Sequence, residues 1–127
     1  AFNEGQAVSF LGRYLFGYRQ ASQKIGSLSG GERSRLQLAL LVLSGVNFLL
    51  LDEPTNNLDI ASAEVLENAL DEFEGTALII SHDRYFLDRT VNRIVELEGG
   101  ALREYGGGYS DYVEKKIPSP PDPLSRK

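Results

Sequence analysis

The sequence predicts an α/β fold built on a parallel sheet. Helical and strand patterns alternate along the chain. Two short runs dense in large apolar residues, 46–51 and 76–80, suit strands inside such a sheet. The first run delivers adjacent acids, Asp52 and Glu53, at its carboxyl end, which is where open α/β sheets bind ligands.

Ala7, Phe10, Leu11 and Leu15 recur at roughly helical spacing and predict a first helix from Glu4 to Phe16, stopped by Gly17. Lys24 to Gly31 is a polar, Gly/Ser-rich loop. The next helix, Glu32 to Leu43, carries Leu36, Ala39, Leu40 and Leu43 on one face and Leu38, Leu41 and Val42 on the others, so burial nearly all round is expected. Ser44-Gly45 ends it, and Val46 to Leu51 reads as a central strand covered on both faces. Pro54 ends that strand and Asp59 can cap a third helix, with Leu66, Ala69, Leu70 and Phe73 as its buried stripe and Glu64, Glu67, Asp71 and Glu72 outside. Gly75 closes it. Thr76 to Ile80 is the second strand, Asp83 to Asp88 a short helix, and Asn92 to Leu97 and Ala101 to Tyr105 two strands joined at Gly99-Gly100. A last helix is expected over Tyr109 to Lys116. Residues 117–127 hold four of the five prolines and read as an extended, disordered tail after a single domain portion over 1–116.

Composition narrows the function. The 127 residues carry 13 Lys+Arg against 18 Asp+Glu, a formal charge of -5, which argues against coating phosphate backbones by bulk charge. With no Cys and one histidine, His82, the chain has neither a disulfide scaffold nor a His/Cys cluster for zinc or haem. The longest unbroken apolar run, Leu38 to Leu43, is far short of the roughly 20 residues of a membrane span. No methionine is present and the first residues lack the marks of a leader, so the chain reads as part of a longer protein.

Chemistry concentrates in three places. Two acids at the end of a buried strand are costly unless compensated, and a Mg²⁺ ion would compensate one. Asp52 is therefore a candidate metal ligand, and Glu53, pointing to the other side of the strand, a candidate base or water-orienting group; solvation of a strand end is the plain alternative. Leu28-Ser29-Gly30-Gly31-Glu32 precedes a helix, and Ser29 with Glu32 forms a capping box. The box does not explain two glycines in a first turn, where each costs up to about 1 kcal/mol relative to alanine. A side-chain-free helix N-terminus with a serine hydroxyl suits an anion such as a terminal phosphate. Gly26 to Gly31 matches half of a phosphate-binding P-loop, but Glu32-Arg33 stands where Lys-Ser/Thr belongs, and no other segment supplies that element. Half a nucleotide site is what remains. His82, at the exit of the second strand, could contact a phosphate, although a lone histidine is more often a packed or surface residue.

Together and in this order, these elements resemble the ATP-binding cassette (ABC) ATPases: Leu28 to Glu32 as signature, Phe48 to Glu53 as Walker B, Asn57-Leu58-Asp59 within the D-loop and His82 as switch histidine. The words around them, Leu51-Asp-Glu-Pro-Thr-Asn-Asn-Leu-Asp, Ser81-His-Asp-Arg-Tyr-Phe-Leu-Asp and Gly108-Tyr-Ser-Asp-Tyr, resemble the ABC-F family over about residues 7 to 116, and the wording from Asp59 to Thr76 is closer to a second cassette. Asn57 and Gly108 depart from the family's commoner His and Asn, and the upstream Walker A, adenine-stacking aromatic and Q-loop have no counterpart here.

The resemblance implies a P-loop NTPase-type cassette portion lacking the Walker A part. It also implies ATP and Mg²⁺ as cofactors, and ATP hydrolysis in the complete protein with this portion inactive alone. Asp52 would be the metal ligand, Glu53 and His82 catalytic. Ser29, Gly30, Gly31, Glu32 and Asp59 would be nucleotide-binding, with the signature acting across a head-to-tail sandwich on the other cassette's ATP. The implied setting is a cytoplasmic twin-cassette protein acting on the ribosome, with no membrane insertion. The ATPase subunit of an ABC transporter is the alternative, disfavoured by Arg84 to Asp88. Arg33 and Arg35 are expected to be solvated helix charges, and Phe10, Tyr14, Phe16 and Tyr18 packing residues.

Overall fold

A computed structural model describes residues 2–116; the predicted tail, 117–127, lies outside the described residues. The chain divides between His82 and Asp83 into two compact units.

The first unit opens with α1 (Glu4–Gly12), capped by Asn3, whose side chain accepts a 2.8 Å bond from the Gln6 amide while the Gln6 side chain accepts one of 3.1 Å from the Asn3 amide. The helix ends four residues before the predicted Phe16. Leu15 takes φ +66°, a left-handed conformation that a helix does not contain, and the resulting reversal buries Tyr14 and Phe16. Burial raises the Tyr14 phenol pKa above its usual value. A four-residue helix α2 (Tyr18–Ala21) and a 3₁₀ turn, Ile25–Ser27, follow. Tyr18 is exposed, so of the four aromatics expected to pack it is the exception.

Helix α3 (Gly30–Leu43) starts at Ser29 and α4 (Ile60–Glu72) at Asp59, as the capping residues predict. The parallel pair β1 (Phe48–Asp52) and β2 (Thr76–Ile80) runs in register from Phe48 opposite Thr76 to Asp52 opposite Ile80. Helices α3 and α4 pack together. Two expectations fail here. Helix α3 buries Leu38 and Ala39 but exposes Leu40, Leu41 and Leu43, and β1 buries Leu49 while Phe48 and Leu50 lie open. Among the described residues α3 and β1 are covered on one side only, so apolar composition exceeds burial. In α4 the deepest positions are Ser62, Val65 and Leu66, with Ala69, Leu70 and Phe73 half-buried. Gly75 is needed at the entry to β2: a Cβ there would fall 2.3 Å from the Asn47 carbonyl oxygen, which accepts the Thr76 amide.

In the second unit α5 (Arg84–Thr90) is capped by Asp83 and buries Phe86. Strands β3 (Arg93–Glu98) and β4 (Ala101–Gly106) form an antiparallel hairpin. Its two-residue turn, Gly99-Gly100, has φ +58° and +77°, the backbone for which glycine is selected in such turns. Helix α6 (Tyr109–Lys116) carries Tyr112, edge-on to Tyr105 at 5.0 Å. The Asp88 carboxylate accepts from the Ser110 amide at 2.9 Å and its hydroxyl at 3.0 Å, which holds the Asp88 pKa below its usual value. These bonds give a structural reason for Asp88 and Ser110 to occur together.

Glu96, its side chain 9% exposed, accepts from the Tyr112 hydroxyl and lies 2.7 Å from the Lys116 ammonium. Those two bonds, led by Lys116, lower its pKa to about 2. A carboxylate depressed on folding stabilises fully above its unfolded value, near 4.3. That contribution is lost as pH falls from there toward 2. Thermal melting of the full chain between pH 5 and 2 is expected to show a fall in midpoint that Glu96→Gln reduces. An identical pH profile in the variant would exclude this role.

Candidate functional site

The site is built at the carboxyl end of the parallel pair. Asp52 ends β1, exposed, and at Glu53 the backbone turns into φ +46° while its amide donates to the Ile80 carbonyl at 2.7 Å. This left-handed residue is a strained position for a non-glycine and breaks the strand's alternation. The Glu53 side chain is swung across to His82. One carboxylate oxygen, Oε2, accepts from the His82 amide at 3.3 Å, and the other, Oε1, is hydrogen-bonded to His82 Nδ1. An ionised carboxylate only accepts, so Nδ1 carries the proton. Nε2, across the ring, belongs to a side chain that is 93% exposed, against 26% for Glu53. The sequence placed Glu53 and His82 at neighbouring strand exits; the structure brings them into direct contact.

After Pro54 the chain turns through Asn56 N–H to Glu53 O (3.1 Å) and Leu58 N–H to Thr55 O (3.2 Å). Asn57 takes φ +61°, a conformation asparagine tolerates better than most residues. Asp59 then caps α4, its Oδ1 accepting from the Ser62 amide at 2.7 Å. The Ser62 hydroxyl and amide, and more weakly the Arg35 charge, hold the Asp59 carboxyl below its usual pKa.

At the N-terminus of α3, Ser29 Oγ accepts from the Glu32 amide at 3.2 Å and Glu32 Oε1 from the Ser29 amide at 3.4 Å. The capping role expected of this pair is present. A Cβ added at Gly30 or Gly31 would meet nothing within 4 Å. Neither glycine is demanded by local crowding, and both leave the helix end bare. Among the described residues the side-chain bonds of this turn run within α3 and the loop before it, Arg33 reaching back to the Gly26 carbonyl at 3.2 Å.

Among the described residues no three His, Cys, Asp or Glu side chains cluster as a metal cage. Asp52, exposed at the strand end, offers a single carboxylate. A cleft of about 830 Å³ lies at the other end of the strands, lined by Tyr14, Val46, Asn47, Val65, Phe73 and Gly75, away from these acids. Sequence reasoning missed one connection. Arg35, expected in solvent, is half-buried and donates to Ser62 Oγ at 2.7 Å. The Asp59-x-x-Ser62 spacing signals the cap, but no local pattern signals the arginine.

Residues 4–56 match the family model described as ABC transporter. The described fold superposes on the ADP conformation of MJ1267, an ATP-binding cassette of an ABC transporter, with a TM-score of 0.66 at 18% identity, covering 91% of this chain and 49% of that one. The chain has the fold of an ATP-binding cassette. Relatives of this cassette sequence include YdiF of Bacillus subtilis (53% identical over 113 residues, 89% of this chain) and ABC transporter F family member 5 of Arabidopsis thaliana (44% over 117, 92%). A third is the energy-dependent translational throttle protein EttA of Escherichia coli K12 (48% over 109, 85%). The chain spans 17–20% of the length of these relatives. No helix among the described residues is long and apolar enough to cross a membrane.

Proposed function

We propose that this chain supplies half of a nucleotide site for MgATP binding and hydrolysis, within a cytoplasmic twin-cassette ABC-F protein that acts on the ribosome. The observation that carries the site chemistry is the Glu53–His82 pair at adjacent parallel-strand exits. The ribosomal role is supported by relatives named as F family members and as a translational throttle.

The residues present fit the group. The bare N-terminus of α3 offers unpaired backbone amides and a positive dipole end to an anion. Exposed Asp52 offers a hard carboxylate to a cation. When bound, MgATP supplies the phosphoryl group that water attacks and a cation that neutralises the charge developing on it. Asp52 holds the cation side. Glu53 orients the water and accepts its proton on a carboxylate oxygen, since each oxygen bonded to His82 keeps a second lone pair. His82 holds that carboxylate through Nδ1–H and its amide, and Nε2, when it also carries a proton, donates to a terminal phosphate. Ser29, Gly30 and Gly31 serve the ATP of the opposite cassette.

Sedimentation of the complete protein with Glu53→Gln through a sucrose gradient tests the reading. A ribosomal peak is expected in ATP and its loss in ADP. Co-fractionation with membranes and no ribosomal peak would favour the transporter subunit instead. The 127-residue chain by itself is expected to give no heat of binding in calorimetric titration with micromolar MgATP, because it has no Gly-Lys-Ser/Thr cradle. Micromolar affinity would contradict the half-site.

A further inference from the structure

We propose that Arg35 and Ser62 are positioning residues that lock the Asp59 carboxylate to α3, so that this carboxylate and the Ser29–Gly31 turn are presented to a nucleotide as one rigid piece; the inference rests on the nucleotide-site reading above.

The path is continuous. Arg35 lies on α3, about one and two-thirds turns beyond Ser29. Its guanidinium stacks over buried Phe16, 5.5 Å from the ring centroid, and Nη1 donates to Ser62 Oγ at 2.7 Å. Ser62 is 2% exposed; its hydroxyl accepts that bond, and its amide donates to Asp59 Oδ1 at 2.7 Å. A helix charge that only solvates a surface has none of these partners.

Capping and packing leave part of this arrangement unexplained. The cap of α4 needs the Ser62 amide and the Asp59 side chain, and alanine at 62 would keep both. The hydroxyl is what ties Ser62, whose amide holds Asp59, to Arg35. Arg35 Nε is buried without a hydrogen-bond partner among the described residues, a costly state for a donor. An apolar side chain at 35 would cover Phe16 without that cost. What the arginine provides and an apolar residue cannot is a directional bond from α3 to the residue that fixes Asp59. Small displacements at a reacting centre matter, since about 1 Å can cost on the order of 10²-fold in rate.

The test uses the complete protein with Ser62→Ala, which spares the cap, and Arg35→Met, which spares the packing volume. Turnover, KM for ATP and the titration of the Asp59 carboxyl, followed by carbon NMR and assigned with Asp59→Asn, are measured for each. Both variants are expected to lower kcat by about tenfold or more with KM for ATP within about twofold. The Asp59 titration should move up toward the ordinary aspartate range. A kcat loss that tracks a lowered melting temperature and disappears on cooling would overturn the positioning role. An unmoved Asp59 titration in both variants would sink the lock whatever the turnover. A wild-type protein without ATP turnover, but with the Asp59 shift present in both variants, would sink the nucleotide-site reading and leave the lock supported.

Discussion

Replacing Glu53 with glutamine in the complete protein is expected to cut ATP turnover by about 10²–10⁴-fold, the range for removal of a general base, while ATP binding persists. Glutamine is suited to isolate the chemistry. It shares the backbone strain of φ +46° with glutamate, so that cost cancels between the two proteins. Its amide oxygen can still accept from the His82 amide, its NH2 then faces Nδ1 and favours the tautomer with the proton on Nε2, and the carboxylate able to take a proton is lost. Closed, ATP-loaded cassettes should accumulate. Asp52→Asn removes charge from the other acid, and its signature is a weakened Mg²⁺ dependence. Single-turnover hydrolysis and Mg²⁺ titrations on both variants separate the roles. Indistinguishable phenotypes would contradict the division of labour between adjacent acids.

Much of the fold was legible because its signals are local. Ser29, Asp59 and Asp83 each cap the helix that follows through a side-chain bond to an amide three residues on. Strand β2 and helix α6 occupy the residues that apolar density and helical pattern predict, and Gly99-Gly100 makes the turn that two adjacent glycines favour. The failures have a common physical root. Leu11 and Leu15 are four apart, as on a helix face, yet Leu15 sits in a left-handed reversal that periodicity cannot register. Apolar composition in α3 and β1 records how buried such segments are suited to be. The described chain, matching 49% of a cassette, covers one side of each.

The site divides in the same way. The positions of Asp52, Glu53 and His82 at neighbouring strand exits were legible, because each follows a short run dense in apolar residues. Their contact was not, because it depends on the register of β1 against β2 and on one positive φ at Glu53. Arg35 was misread because, on α3 alone, it has the pattern of a solvent-facing charge. Its partners, Phe16 and Ser62, come from a preceding turn and a later helix, 19 positions before and 27 after it in sequence.

Gly31→Asp is expected to abolish ATP-driven closure of the complete protein and leave its melting temperature unchanged or slightly raised. A Cβ at Gly31 meets nothing within 4 Å, so the side chain enters without a clash. The position is in the first turn of α3, where an acid complements the helix dipole by roughly 0.3–1 kcal/mol and where any residue but proline is better than glycine. Folding therefore has no reason to suffer. Function is expected to suffer, because in the proposed head-to-tail arrangement the new carboxylate would stand where a terminal phosphate of the opposite cassette approaches. Like charges about 4 Å apart at an effective dielectric near 20 repel by about 4 kcal/mol, equivalent to roughly a 10³-fold loss in closure. The neutral Gly31→Ala separates charge from bulk and should lose less. Thermal melting set against ATP-dependent closure, measured by fluorescence transfer between labelled cassettes, decides the matter. Normal closure in Gly31→Asp would return the Ser29–Glu32 turn to the role of a helix cap alone.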